Sequence, residues 1–315
     1  MSIIIGSFNM FKFSANTHKE LECVRAIINK NEIDILAIQE IFSQGALNNL
    51  LRELGPGWDG RWKSPDSKSV SAAEGYAFVW NTNKICLSHR RSGEPFEPVI
   101  HRQYPHKEAG ALIRDPFYAR FELKNNRMTE IRLINTHIMF SLKREENDAD
   151  DHDSSIKLPG AVSMRKKEFE ILATKILPKI DDKDYDRYWN EVDEICRRPI
   201  TILLGDYNLN LKESGAKDTF IDEPLILIRE GSSEKRIITV QKDLTTLKTD
   251  LSNAETEGGY RNNFDHFTFD SNRPIRVDCY AVDAPNDPEL FSGNYQKYRE
   301  NVSDHLMIVM RLELT

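Results

Sequence analysis

Four short apolar runs each end on side chains capable of acid–base or metal chemistry. Ile3-Ile4-Ile5-Gly6-Ser7-Phe8 ends on Asn9, and Ile33-Asp34-Ile35-Leu36-Ala37-Ile38 ends on Gln39-Glu40. Ile131-Arg132-Leu133-Ile134 ends on Asn135-Thr136-His137, and Ile200-Thr201-Ile202-Leu203-Leu204 on Gly205-Asp206-Tyr207-Asn208. Asp304-His305 supplies a fifth group of the same kind. Short runs rich in β-branched residues read as buried strands. A polar group at the end of such a strand stands at the rim of its sheet. Five rims carrying carboxylates, amides and imidazoles read as one site assembled from distant segments. Such a set suits hydrolysis assisted by a hard metal ion, with oxygen ligands for the ion and imidazoles to move protons.

The segments between these endings read as the frame that holds them. Thr17-His18-Lys19-Glu20 fits a capping box ahead of an amphipathic helix bearing Leu21, Val24, Ile27 and Ile28. A strand over 33–39 and a helix over 43–54 follow. Residues 74–80 and 84–88 read as strands about an Asn81-Thr82-Asn83 turn. Strands are predicted near 116–123, 129–137, 200–205, 237–241, 264–269, 275–282 and 305–313. A long helix is predicted from about Gly160, with Phe169, Leu172 and Ile176 on its apolar face, and a second helical pattern carries Tyr185, Tyr188, Val192 and Ile195. Segment 84–107 is basic, and 143–153 carries six carboxylates and reads as a solvated loop. There is no repeat, low-complexity tract or clear linker, so one α/β domain over 1–315 is the simplest account.

The chain has 315 residues, 39% of them hydrophobic, enough for a large core. No apolar run approaches the roughly 18 residues that span a bilayer. No basic n-region or cleavage site precedes the first strand. Cys23, Cys86, Cys196 and Cys279 form no CxxC pair, which reads as thiols in a reducing compartment and gives a cytoplasmic expectation. A net charge of −7 disfavours tight nonspecific binding of nucleic acid without excluding a local basic groove.

Taken in order, Asn9, Gln39-Glu40, Asn135-Thr136-His137, Gly205-Asp206-Tyr207-Asn208 and Ser303-Asp304-His305 resemble the endonuclease/exonuclease/phosphatase superfamily, and in particular pancreatic-type deoxyribonuclease. Each motif is common by chance; five in the family's order, spanning essentially the whole chain, are a specific signal. The resemblance implies a four-layer α/β/β/α sandwich with two mixed, mainly antiparallel sheets. It implies a Mg²⁺ ion (Mn²⁺ in its place) on Glu40, with Asn9 and Asp304 completing or flanking the site. It maps His305 onto the residue that activates water or contacts the scissile phosphate, and His137 onto the partner beside the leaving oxygen. Glu74 then orients His137, and Asp265 orients His305. Asp206 aligns water or holds a second metal, and Asn208 donates to a phosphate oxygen. Arg114 stands where the family often places a phosphate-contacting arginine.

Blander readings exist for each. Glu40 alone would pass for an exposed strand-end carboxylate, and Gly-Asp-Tyr-Asn for a turn, although an extended Asp206–Asn208 segment would point both side chains the same way. His18, His89, His101, His106 and His152 read as structural, and so does His266. Two features depart from the pancreatic type. Phe11 and Phe42 stand where that type carries minor-groove arginines, with Lys12 adjacent but not equivalent. They are either core residues or aromatics that stack on unpaired bases or an apolar headgroup. Asn263-Phe264-Asp265-His266 differs from the Trp-Cys-Asp-Arg type motif of inositol-phosphate phosphatases. The leading expectation is a metal-dependent phosphodiesterase acting on nucleic acid, foremost a DNA endonuclease. A phosphomonoesterase or phospholipid-headgroup phosphodiesterase is the alternative, and a non-catalytic binding module the third.

Overall fold

The computed structural model describes residues 2–65, 74–89, 93–101, 112, 114–140, 161–182, 198–216, 220–230, 233–273 and 275–314. The 143–153 loop, the 185–195 helical pattern and part of the basic 84–107 segment lie outside them. The strands in chain order are β1 (Ser2–Phe13), β2 (Ile35–Ile41), β3 (Trp58–Lys63), β4 (Gly75–Asn81), β5 (Ile85–Leu87), β6 (Val99–Ile100) and β7 (Phe117–Leu123). After them come β8 (Asn126–His137), β9 (Arg198–Asp206), β10 (Leu225–Glu230), β11 (Ser233–Val240), β12 (Asp265–Asp270), β13 (Ile275–Ala281) and β14 (Ile308–Leu314). The helices used below are α1 (Leu21–Lys30), α2 (Gln44–Leu54), α3 (Val162–Ile171), α4 (Leu177–Asp182), α5 (Ala254–Glu257) and α6 (Tyr295–Asn301).

The strands form two sheets. One has the order β13-β14-β1-β2-β4-β3, and the other β10-β11-β12-β9-β8-β7-β5, with β6 on β7. Pairing is antiparallel except for β1 with β2 and β8 with β9, which are parallel. Alternation along each strand sends side chains to opposite faces, and both faces are covered. Ile3 and Ile5 of β1, Phe78 of β4, Phe121 of β7 and Ile202 of β9 meet between the sheets, where the Phe78 ring stacks on Phe117 at 5.1 Å. Ile4, Leu36 and Val79 turn outward onto Val24 and Ile27 of α1 and Leu47 of α2. Ile134 and Leu203 turn outward from the second sheet onto Phe169, Leu172 and Ile180. The result is a four-layer sandwich, as the resemblance implies.

Several local expectations need correction. Thr17 does not cap α1. Its hydroxyl accepts from Ser14 N and closes its own turn, while Glu20 itself is the cap residue, with no side-chain capping bond. The last strand begins at Ile308 rather than 305, because His305 faces Thr246 in an isolated bridge. The helix expected from about Gly160 is described from Val162 and is interrupted by a wide turn over Leu172–Ile176. Pro178 follows that turn and has no N–H to donate back into the helix, a sufficient reason for the ladder to widen there. Strands β3 and β10 were not anticipated, since Trp58-Asp59-Gly60-Arg61 has little apolar alternation.

The second sheet also buries charge. Glu130 accepts a two-pronged contact from Arg120 (3.0 and 2.7 Å) and a further bond from Arg132 Nε, and all three are nearly sealed from solvent. Burial alone would raise the Glu130 pKa, but the two guanidinium groups outweigh it and hold the carboxyl below its ordinary value. A lowered carboxyl pKa adds stability above the unfolded pKa and loses it as pH falls through the folded one. Removing one partner of a buried pair costs about 3–5 kcal/mol. Glu130→Gln is therefore expected to lower the denaturation midpoint at neutral pH by that order and to flatten the acid limb of stability. Urea unfolding at neutral and acidic pH measures both.

Candidate active site

Both parallel pairs run to the same rim. Asn9 lies beside Gln39, and His137 beside Asp206. β12 starts at the same place, with Asp265 opposite Asp206. Glu74 immediately precedes β4, and Asp304-His305 shortly precedes β14. The rim is thus where seven chain segments converge, at the C-terminal ends of the parallel strands, where open α/β sheets place their sites.

Asp206 is the hub. Its Oδ2 accepts from Asn9 Nδ2 (3.0 Å) and lies 3.5 Å from His137 Nε2 and 3.7 Å from His305 Nε2. Each imidazole has its own carboxylate behind it. His305 Nδ1 is 2.8 Å from Asp265 Oδ2, and His137 Nδ1 is 2.6 Å from Glu74 Oε1. Arg114 Nη2 pairs with Glu74 at 2.8 Å, and Nη1 lies 2.9 Å from His137 Nδ1. Arg114 can only donate and would need Nδ1 bare, whereas Glu74 accepts from Nδ1–H; the shorter carboxylate contact keeps the proton on Nδ1, and Nε2 of each ring faces Asp206. Burial opposes charge on both rings. On His137 the bond and charge of Glu74, with the charge of Asp206, outweigh burial and Arg114, so its pKa is raised. On His305 the charges of Asp265 and Asp206 raise it well above the ordinary histidine value. Burial likewise pushes the Asp206 carboxyl up, to about 6, against the pull of His305 and His137.

Around the hub the backbone is bent. Phe11, Lys12, Glu40 and Asn208 all have φ between 38° and 55°, a region costing non-glycine residues about 1–3 kcal/mol each. Irregular pairing accompanies the bends in β1 and β2, as bulges that re-aim a side chain do. Glu40 is swung so that its oxygens accept from Asn9 Nδ2 (3.3 Å) and Lys12 N (3.0 Å). At Asn208 the turn reading, not the extended one, is what the structure shows. Its N–H donates to Asp206 Oδ1 (2.9 Å) in a side-chain-closed turn, and its Nδ2 donates to Ile138 O (2.9 Å). The other Nδ2 hydrogen remains for the cleft that Asn208 lines.

That cleft has a volume of about 730 Å³. It is lined by Glu40, His137, Asp206, Asn208, Asp304 and His305, with Phe11, Phe140, Phe264, Arg165, Arg261 and Arg299 farther along its walls. Phe11 is half-buried on the cleft, with the Lys12 and Lys19 ammoniums over its ring, so the core reading fails for it. Phe42 is half-buried and does not line the cleft. Asn9 is buried beneath the hub, with its Oδ1 accepting from Phe11 N. His266 is fully buried between the Leu209 and Gln241 carbonyls, a structural place.

Two atoms bear on metal binding. Asp304 Oδ1 and Asp265 Oδ1 are buried with no hydrogen bond from the described residues. Glu40 and Asp304 together already draw on the half-buried Lys19, whose pKa burial lowers against their attraction. Carboxylate oxygens, one of them buried and unpaired, form a donor set that fits a hard divalent cation. Asp206, Asp265 and His305 are a second cluster with ligand-like spacing.

Several supports were not foreseen. Gln39 Nε2 donates to Asn135 Oδ1 (2.7 Å) and Ser7 Oγ (3.1 Å), and Asn135 Nδ2 donates to Ile38 O (3.0 Å), tying the two sheets together beneath the rim. Tyr76 OH accepts from His137 N, and Tyr298 OH donates to His305 O (2.7 Å). Arg165 holds the Asn208 carbonyl.

No protein-family model matches the chain, and no curated protein matches it in sequence. Solved structures do match. An endonuclease/exonuclease/phosphatase from Bacteroides vulgatus has a TM-score of 0.56 and 15% identity, over 100% of both chains. A mannosyl-6-phosphatase from Bacteroides thetaiotaomicron has a TM-score of 0.54 and 15% identity, over 99% of this chain and 100% of its own. Humanized D. rerio TDP2 has a TM-score of 0.51 and 12% identity, over 99% of each. The chain therefore has the fold of endonuclease/exonuclease/phosphatase family proteins, two mixed sheets with helices outside.

Gly205 is what allows β8 and β9 to meet at the hub. A Cβ there would stand 1.9 Å from Thr136 O, and its φ is +136°. Gly205→Ala is expected to cost at least about 1–3 kcal/mol from backbone strain alone and to part His137 from Asp206. Thermal unfolding reads the first effect, and the chemical-shift titration of the His137 ring reads the second.

Proposed function

We propose that the chain is a divalent-metal-dependent phosphodiesterase acting on nucleic acid, foremost DNA, with residues 1–315 forming one catalytic domain. The observation that carries this reading is the Asp206 carboxylate flanked by two imidazole Nε2 atoms, each ring backed by its own carboxylate. Hydrolysis of a phosphodiester needs a positioned water, a proton acceptor for it, charge to meet the developing negative oxygens and an acid for the leaving oxygen. Asp206, raised to about 6, is poised to orient the water and take its proton near neutral pH. His305, held positive by Asp265 and Asp206, suits contact with a phosphate oxygen, so of its two expected roles we favour that one. His137, whose pKa Glu74 raises against burial, delivers its Nε2 proton to the leaving oxygen. Asn208 donates to a non-bridging oxygen. Glu40 and Asp304, with Asn9 behind them, would hold the metal, which supplies positive charge to the phosphate and lowers the pKa of bound water.

The walls of the cleft support a nucleic-acid substrate. The exposed Phe140 ring lies 6.3 Å from Phe264, and with Phe11 these give flat faces on which bases stack. Arg165, Arg261 and Arg299 supply positive charge along the same walls. A second reading, a phosphomonoester or phospholipid headgroup, is favoured by Arg114 beside His137, which suits the extra charge of a terminal phosphate. A neighbour of this fold is named a mannosyl-6-phosphatase.

Plasmid DNA incubated with Mg²⁺ is expected to be nicked, with Glu40→Ala or His137→Ala reducing the rate roughly 10²-fold or more. Undiminished cleavage by both variants would sink the assignment. Release of inorganic phosphate from small esters, with DNA intact, would select the second reading. The pH profile tests the proton roles separately. Because Glu74 raises the His137 pKa, Glu74→Gln should lower it, and the alkaline limb of kcat should move to lower pH. An unmoved limb would remove His137 from the acid role.

A further inference from the structure

At the edge of the second sheet, outside the cleft lining, Cys86, His89 and Glu122 bring a sulfur, a nitrogen and an oxygen within 4.8 Å of one another. We propose that these three residues form a separate metal site suited to zinc. Cys86 and Glu122 are direct cross-strand partners of β5 and β7. Cys86 Sγ lies 3.7 Å from Glu122 Oε1, and His89 Nδ1 lies 3.0 Å from the same oxygen. Tetrahedral zinc with sulfur at about 2.3 Å and nitrogen or oxygen near 2.0–2.2 Å requires donor separations of roughly 3.3–3.8 Å. The two separations to Glu122 therefore need shifts of a few tenths of an ångström, and the third, Sγ to Nδ1, lies within 4.8 Å.

The backbone holds His89 in place from both sides. Ser88 N donates to Arg120 O (2.9 Å), Phe96 N donates to Ser88 O (2.7 Å), and His89 bridges Pro95. Glu122 is fully buried while the His89 side chain is 35% exposed, so one side of the cluster is shut by the sheet and the other is open to solvent for entry and a fourth, water ligand. The three donors already lean on one another: the His89 ring and the Cys86 thiol both lie against Glu122 Oε1. A divalent ion set among them would displace the thiol proton and any Nδ1 proton. Thiolate among the donors selects a soft or borderline ion over Mg²⁺, so this site and the cleft would not compete for the same metal.

Cobalt separates the two chemically, because only a thiolate-bound Co²⁺ gives an intense near-ultraviolet charge-transfer band. Full-length protein in excess Mg²⁺ is titrated with Co²⁺, then with Zn²⁺. One equivalent of Co²⁺ should produce the band, Zn²⁺ should bleach it, and Cys86→Ser should abolish it with cleft activity in Mg²⁺ unchanged. His89→Gln should weaken Zn²⁺ binding roughly 10-fold or more, since even outer-shell changes at metal sites cost 10–100-fold. Absence of the band in the parent protein, or its survival in Cys86→Ser, would overturn the proposal. Should Cys86→Ser fail to fold, an unaltered cobalt spectrum and zinc affinity in His89→Gln would overturn it equally.

Discussion

One buried carboxylate, Asp206, sets the requirements that the rest of the site meets. A carboxylate almost wholly removed from water is tolerated only with charge and hydrogen bonds around it. Here Asn9, the Asn208 N–H and two imidazoles provide them. The imidazoles are themselves buried and must be charged to help, so each needs an anion behind it, and Asp265 and Glu74 follow. Arg114 then balances Glu74. The chain of compensation runs outward from one atom, Asp206 Oδ2, and alternates in sign at each step. Asn9 closes the circuit by donating to Glu40 as well, so Glu40 and Asp206 share one amide.

This arrangement asks the backbone to be bent where it is most buried, and the sheets beneath supply the rigidity. Four non-glycine residues at left-handed φ sit on the ends of β1, β2 and β9. What holds them is an apolar sandwich below and one polar bridge, Ser7–Gln39–Asn135, set into it. The bridge joins β1 and β2 of one sheet to β8 of the other. Without it the polar ties between the sheets would be chiefly those of the site itself, Asn9–Asp206, Glu74–His137 and Asp265–His305, above apolar layers that fix separation better than register. Gln39 and Asn135 thus act through position, and neither lines the cleft.

Much of this was legible in the sequence, for a physical reason. Strands buried on both faces read as unbroken apolar runs, so a polar residue that ends one stands out, and Asn9, Glu40, His137 and Asp206 were visible that way. The helices showed through their 3.6-residue period, as Val24, Ile27 and Ile28 do on α1. What was not legible depends on tertiary pairing. Nothing local marks Tyr76, Tyr298 or Arg165 as supports, because their partners are backbone atoms of distant segments. The Arg120–Glu130–Arg132 network hides in strands whose buried faces carry charge, against the usual pattern. The Thr17 cap was misread because a capping box is a pattern of types, and a neighbouring turn competed for the same hydroxyl. His89 looked solitary because its partners, Glu122 above all, arrive across a strand pair.

The same distinction between rim and wall bears on substrate choice. On the proposed reading, the residues around Asp206 answer to the chemistry of a phosphoester and leave little freedom. Those one step farther out are constrained only by what the ester carries. Phe11 shows this: a strand residue bent to φ 38° and left at the cleft rather than in the core brings an aromatic face, with Lys12 and Lys19 over it, to where a flat group beside the phosphate would lie. On that same reading, an arginine there would grip a backbone phosphate, whereas a phenylalanine under two ammonium groups would meet a ring and the charge next to it. Binding would then depend on bases being free to stack, which favours unpaired or distorted strands over regular duplex.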